Sequence, residues 1–370
     1  MLILDVQSSL VRGSLVRLSA GTAPEIIFTH EQDIPYRPHG GSAYLIKVGL
    51  RAIEEAVGAA LQCAALNRDS GAMARIEAVH YVLSSPWIVS QAKTLSLSFP
   101  EDTEITQSLV SDAINKEQMK LTPGAAPGSF EIVERKAFDV RLNGYSVSSW
   151  QGKQARTVEI SCVISMAGSQ IAERFRHACA RAVKPSRVSF HSSLLLQQMA
   201  ISSVMPDRLS YTLIHIHGEL TDVVVVEKGT CSFFGSYPSG VRTVIRKIAH
   251  TSKTEQQAAE SLLTLYERSH LDGSLDRTAS FIEDIGKGWS IDLSRLLEKA
   301  GYSQPLPRDT IVSSRIHEGF FMRAFEAARP GSHTESLTTD ELSSKVSYGP
   351  SVEHLRQAGL YAIALSSFPA

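Results

Sequence analysis

The chain has 370 residues, a net charge of -1, 43% hydrophobic residues and 20% charged residues. That length exceeds what one hydrophobic core spans, so two or more domains are expected. The near-zero charge gives no general electrostatic basis for nucleic-acid binding, and no apolar run approaches the eighteen residues of a membrane-spanning helix.

In chain order, Leu2 to Leu4 and Val11 to Leu18 read as strands joined through DVQSS, and HEQDIPYRPHGG, with two prolines and a glycine pair, reads as a loop. From Ser42, Leu45, Val48, Ile53, Val57, Ala60 and Leu61 recur at helical spacing. AVHYVLSS follows as a buried strand, so the order is strand, strand, helix, strand. A different segment begins near residue 89. AKTLSLSF alternates as a strand, TQSLVSDAINKEQ has helical spacing, and EIVERKAFDVRLNGYSVSS holds strands turned at Asn143-Gly144. In ARTVEISCVIS, Val158, Ile160, Cys162 and Ile164 share one face opposite a mostly polar one, and SQIAERFRHACARAV continues as a helix with Ile171, Phe175, Ala178 and Ala182 on one stripe.

RVSFHSSLLLQQMAISSV returns to strand and helix. LIHIHGELTDVVVVEK is a strand, a turn at Gly218 and a strand, and KGTCSFFGSYPSG adds another strand. Gly240 opens the helix VRTVIRKIAH. Helices follow through TEQQAAESLLTLYERS and from Leu275 to Gly301, then the strand DTIVSS and the helix HEGFFMRAFEAA. RPGSHTESLTTDELSSK is polar and reads as a surface loop; SVEHLRQAGLYAIAL, from Ser351, is the last helix.

Cys63, Cys162, Cys179 and Cys231 have no CxxC or zinc-finger spacing and suit a reducing, cytoplasmic setting. The N-terminus lacks the basic flank and small-residue cleavage site of a signal peptide. The serine pairs Ser84-Ser85 and Ser192-Ser193 lie outside any GxSxG turn and read as turn and cap residues. His191 reads as a structural histidine, Asp139 and Arg141 as the solvated face of a sheet, and Arg242, Arg246, Lys247 and Lys253 as a solvated helix face.

These motifs, in this order, resemble the actin-like ATPase superfamily, in the branch that holds the cell-division protein FtsA and the type IV pilus protein PilM. LDVQSSLVRGSLVRL is similar to the first phosphate loop of that family, and HIHGELTDVVVVEKG to the second. RKAFDVRLNGYSVSSWQGKQARTVEISCVI resembles the central hairpin of the SHS2 domain inserted in that branch; YPSGVRTVIRKIA with AAESLL, and then QAGLYAIAL, resemble its later helices. The resemblance implies an α/β, two-lobed, ribonuclease H-like fold. Residues 1–88 and 184–210 would form the first lobe, 89–183 an SHS2-type insertion, 211–350 the second lobe and 351–370 a closing helix of the first.

A nucleotide cleft would draw on Asp5, Ser8, Ser9, Arg12, Gly218, Thr221, Asp222, Gly240 and Glu260, with Arg12 as a cation for phosphate. Several motif positions depart from the family. Gln7 and His217 replace glycines, His215 replaces the metal-side aspartate, Ser313, Ser314 and Arg315 replace a glycine turn, and Leu263 replaces a lysine. A neutral histidine is no substitute for an oxygen ligand on Mg²⁺. No catalytic residue and no cofactor is therefore expected, with ATP and Mg²⁺ as the alternative. His215 and His217 point the same way along a strand. A zinc site with Glu219 or Asp222 is the second alternative.

The resemblance implies a cytoplasmic, PilM-like scaffold without ATP hydrolysis. It would bind the N-terminal peptide of an inner-membrane protein between the first lobe and the SHS2-type domain, and self-associate as a dimer or filament, without nucleic acid or direct membrane insertion. The chain stops after GLYAIALSSFPA without the amphipathic membrane helix of FtsA-like proteins. An FtsA-like division scaffold is the alternative within the same class; an active ATPase or a metal-dependent hydrolase is the alternative of another class.

Overall fold

A computed structural model describes residues 1–19, 21–37, 40–66, 76–118, 120, 126, 128–147, 149–268, 276–299, 302, 304–349, 352 and 355–368. The strands β1 (Leu2–Val6), β2 (Leu10–Arg17) and β3 (Glu25–Asp33) precede helix α1 (Gly41–Leu66) and strand β4 (Ala78–Leu83). Next come β5 (Ile88–Glu104), α2 (Gln107–Gln118), β6 (Phe130–Leu142), β7 (Tyr145–Ser146), β8 (Gln154–Gly168) and α3 (Ser169–Ala180). β9 (Arg187–Ser192) and α4 (Ser193–Val204) lead to β10 (Tyr211–Ile216), β11 (Thr221–Glu227) and β12 (Thr230–Tyr237). Then follow α5 (Val241–Ser252), α6 (Gln256–Glu267), α7 (Asp276–Lys299), β13 (Asp309–Ser314), α8 (Glu318–Ala328), β14 (His333–Glu335), α9 (Thr339–Leu342), β15 (Ser347–Tyr348) and α10 (Arg356–Ser366).

Three sheets result, in the orders β15-β3-β2-β1-β4-β9, β12-β11-β10-β13-β14 and β5-β8-β6-β7. The first two share a central layer. α4 is buried from Ser193 to Gln198 and again at Ala200 and Ile201, and α10 is buried continuously from Gln357 to Leu365. Burial on all sides is what a helix sandwiched between two sheets requires. The period of two along each strand then sorts the side chains. Leu2, Leu4 and Val6 pack outward against α1 and α3, and Ile3 faces the central layer. Ile214 and Ile216 pack outward against α5 to α8, and Leu213 faces inward. Asp5 and His215 continue the inward rows.

Two readings of the sequence need correction. HEQDIPYRPHGG is not all loop, because His30 to Asp33 complete β3, which pairs with β2 from Leu10↔Asp33 to Arg17↔Glu25. The early order is therefore three strands, a helix and a strand. The polar run at 329–345 carries β14 and α9, the latter held by a Thr338–Glu341 capping box. Leu337 and Leu342 there are buried in the central layer, a contribution that the surrounding polar residues conceal. On β8 both faces are buried from Cys162 to Ala167, because that end of the third sheet lies against the first lobe. The expected starts of α7 at Leu275 and of α10 at Ser351 lie outside the described residues. Asn143 and Gly144 both have positive φ, 52° and 84°, the hairpin turn that Asn-Gly favours.

A buried polar chain fastens the third sheet to the first. Glu134 on β6 accepts from the Ser192 backbone N–H at 2.8 Å and lies 3.1 Å from His191 Nδ1. His191 Nε2 in turn lies 3.2 Å from His80 Nδ1. Burial, with His191, Arg187 and the N-terminal amine nearby, lowers the His80 pKa to about 3. The unfolded chain therefore takes up this proton first. Stability is lost as pH falls from about 6.5 toward 3, by about 2 kcal/mol at pH 5. Urea unfolding at pH 7 and pH 5 should show a His80→Gln variant losing less stability than wild type by that amount. Equal losses would mean that His80 is not held neutral.

Candidate functional site

The inward rows meet at one end of the central layer. β1 supplies Asp5, β2 Arg12, α4 Gln197, β10 His215, β11 Asp222 and α10 Gln357. Arg12 is 1% exposed. Its Nη1 donates to Asp5 Oδ2 at 2.9 Å and to Gln357 Oε1 at 3.0 Å, and its Nε donates to Glu31 at 2.8 Å. Gln7 Nε2 donates to the same Asp5 oxygen at 3.0 Å. Burial raises the Asp5 pKa, and Arg12 and Gln7 oppose that rise. Arg12 is thus a partner of carboxylates inside the protein; the register Asp5↔Arg12 across β1 and β2 sets the pair.

The second loop is also tied to its neighbours, although His215 Nε2 and His217 Nδ1, like Asp5 Oδ1, are buried without a hydrogen-bond partner among the described residues. His217 Nε2 lies 2.9 Å from Asp222 Oδ2, which also accepts from the Ser85 backbone N–H at 3.1 Å, and Ser236 donates to Asp222 Oδ1 at 2.5 Å. Burial would raise the Asp222 pKa, but His217, Ser236 and Ser85 outweigh it and bring it down to about 2. Burial and the neighbouring His217 hold His215 well below the usual histidine range, while its Nδ1 is bonded to the Gln197 side chain. The two histidine ring centroids lie 4.2 Å apart, with the rings tilted by 37°. Among the described residues no three His, Cys, Asp or Glu side chains are grouped to hold a metal ion.

Helix α5 begins at this loop. A helix N-terminus offers free N–H groups to an anion, but here Val241 N–H donates to His217 O at 2.9 Å and Arg242 N–H to Gly218 O at 2.7 Å. Thr221 Oγ1 donates to Ser239 O at 2.7 Å. The two loops also touch each other. A Cβ on Gly218 would lie 2.2 Å from Ser9 Cβ, and Glu219 N–H donates to Ser8 Oγ at 3.3 Å. Gly218 therefore serves a close approach between loops.

Salt links brace the same contact. Arg242 Nη1 donates to Ile34 O at 2.7 Å, Arg315 Nε lies 2.8 Å from Glu31, and Arg246 forms a two-pronged pair with Glu219. The Arg246 guanidinium also lies 4.2 Å from the Tyr36 ring centroid, so Arg242 and Arg246 are bridging residues, a correction to the solvated face expected of them. Ser313 receives Gln357 Nε2 at 3.5 Å, and Ser314 N–H donates to Glu318 at 3.0 Å.

The structure brings together Asp5, Ser8, Ser9, Arg12, Gly218, Thr221, Asp222 and Gly240. Glu260 stands exposed on α6. Sequence reasoning missed Glu31, Gln197 and Gln357. Glu31 lay in the presumed loop, Gln197 is one of an adjacent glutamine pair on a largely apolar helix, and Gln357 stands near the start of another.

A groove of about 620 Å³ opens on the far side of Asp222. It lies between β5, the turn after β4 and β12, and Ser85, Asp222 and Ser236 form part of its lining.

The architecture is that of the actin-like ATPases: an α/β fold of two sheet-bearing lobes around a central helical layer. Over 99% of its length the chain is similar to PilM in a PilM–PilN type IV pilus biogenesis complex, covering 96% of that chain with a TM-score of 0.65 at 14% identity. The ethanolamine utilization protein EutJ from Carboxydothermus hydrogenoformans is matched over 99% of this chain and 89% of its own, with a TM-score of 0.47 at 12% identity. No protein-family model matches the sequence, and comparison with curated proteins gives no match. Among the described residues no helix is long and apolar enough to cross a membrane.

Proposed function

We propose that the chain is a non-hydrolysing, PilM-like adaptor. It works at the cytoplasmic face of the inner membrane and binds a short segment of a membrane partner in a type IV pilus-type assembly. The observation that carries this reading is the self-filled cleft. Asp5 faces Arg12, Asp222 faces His217, and the first N–H groups of α5 are held by loop carbonyls. Mg²⁺ takes several oxygen ligands and phosphate needs free donors. Of the two aspartates only Asp5 Oδ1 is left without a partner among the described residues, while both Asp222 oxygens are engaged, so these residues do not fit a magnesium nucleotide.

The likeness in fold to PilM, which is solved in complex with PilN, supports the adaptor role. So does the groove, which lies where the first lobe meets the four-stranded sheet. We read that sheet, with α2 and α3, as the SHS2-type insertion.

Calorimetry of the purified chain with ATP and Mg²⁺, with phosphate release followed in the same sample, tests the reading. No binding at millimolar nucleotide and no release are expected. Micromolar binding would show a live cleft and overturn the non-hydrolysing assignment.

A further inference from the structure

Four polar atoms in the core of the cleft have no hydrogen-bond partner among the described residues: Asp5 Oδ1, Gln197 Oε1, His215 Nε2 and His217 Nδ1. Bulk solvent does not reach them, since His215 and Gln197 are 0% exposed, Asp5 1% and His217 2%. Buried polar atoms are nearly always hydrogen-bonded, and an orphan costs its full desolvation. These four are also neighbours. The His215 and His217 ring centroids lie 4.2 Å apart, and Gln197 is bonded to His215. Asp5 closes the set from the other sheet. Arg12 links it to Gln357, and Gln357 reaches Ser313, which stands opposite His215 in the pairing of β13 with β10. After burial, Arg12 and Gln7, His217 is the next group to act on the Asp5 carboxyl.

Donor and acceptor roles decide what satisfies these atoms. Gln197 Nε2 donates to Ser193 Oγ at 3.1 Å and to His215 Nδ1. Burial and His217 keep the His215 ring neutral, so its one proton sits on Nε2 and meets no acceptor. Asp222 is a carboxylate and only accepts, so His217 carries a proton on Nε2, and in the neutral ring Nδ1 is an acceptor. Asp5 Oδ1 and Gln197 Oε1 are acceptors too. An anion here would be set against the Asp5 carboxylate, and a cation against the His215 N–H. Water meets neither penalty, because it accepts and donates at once. We propose that buried water, one molecule or a linked pair, joins His215 Nε2–H to Asp5 Oδ1 and gives its remaining proton to His217 Nδ1 or Gln197 Oε1. Asp5 belongs to the first lobe and the two histidines to the second, so the water is a bridge between lobes. With every partner buried, its exchange with solvent requires the lobes to part. This site goes beyond the adaptor reading and does not depend on it.

A high-resolution crystal structure of the full chain is the first test. Ordered density is expected at about 2.7–3.2 Å from His215 Nε2 and, directly or through a second peak, from Asp5 Oδ1. No density between them would overturn the proposal. So would a peak at about 2.0–2.2 Å from a histidine nitrogen, the distance of a coordinated metal ion. In solution, oxygen-17 relaxation dispersion counts the waters that stay bound for longer than the protein tumbles. His215→Phe keeps a ring and removes both nitrogens, and it should lose a long-lived water relative to wild type. Equal counts in the folded variant would overturn the bridge. Should His215→Phe not fold, the wild-type density decides alone. Each of these failures leaves the adaptor reading standing.

Discussion

Gly240→Ala is expected to destabilise the protein by about 3 kcal/mol or more, because overpacking against backbone has little room to relax. The added Cβ would lie 2.3 Å from His217 O and 2.8 Å from both Gly218 O and Leu220 N. All three are backbone atoms of the second loop, which is itself pinned by α5 and by Ser9. Gly218→Ala should act in the same direction through Ser9. Gly58, inside α1, meets nothing within 4 Å when a Cβ is added. Gly58→Ala should therefore stabilise by about 0.5–1 kcal/mol, because alanine loses less backbone entropy in a helix. Denaturant midpoints for the three variants at one pH measure the contrast. Similar midpoints for Gly240→Ala and Gly58→Ala would mean that the loop and α5 are not in contact as described.

Arg12→Met carries the second large effect, a loss of about 3–5 kcal/mol. Removing one member of a buried ion pair leaves the other without compensation. Asp5 and Gln357 would lose the guanidinium, and Glu31 would keep only Arg315. The double variant Arg12→Met with Asp5→Leu should recover more than half of that loss, since apolar replacement of a whole buried pair is often tolerated. Urea unfolding of both single variants and the double variant gives the coupling directly. A single-variant loss below about 1 kcal/mol would show that Arg12 is hydrated after all.

Much of this was legible in the residues. The alternation of LIHIH placed His215 and His217 on one face, and the order of motifs gave the two-lobed fold. The destination of Arg12 was not legible. A cation three residues past a serine turn looks available for phosphate, and only the antiparallel register with β1 turns it onto Asp5. Its amide partner Gln357 is 345 residues away. No local pattern carries a contact of that range. β3 was obscured for a related reason: most of its residues are only half-buried, so its alternation is weak. Glu31 went unnoticed with it.

The burial of α4 on every side has a consequence for how the chain is made. Its partner α10 begins at Arg356, so on the ribosome α4 emerges long before the surface that covers it. At about 5–20 residues per second the wait is on the order of ten seconds. During that interval a helix whose apolar residues face every side has no finished sandwich to enter. The nascent chain is therefore expected to depend on holding chaperones until its last helix arrives.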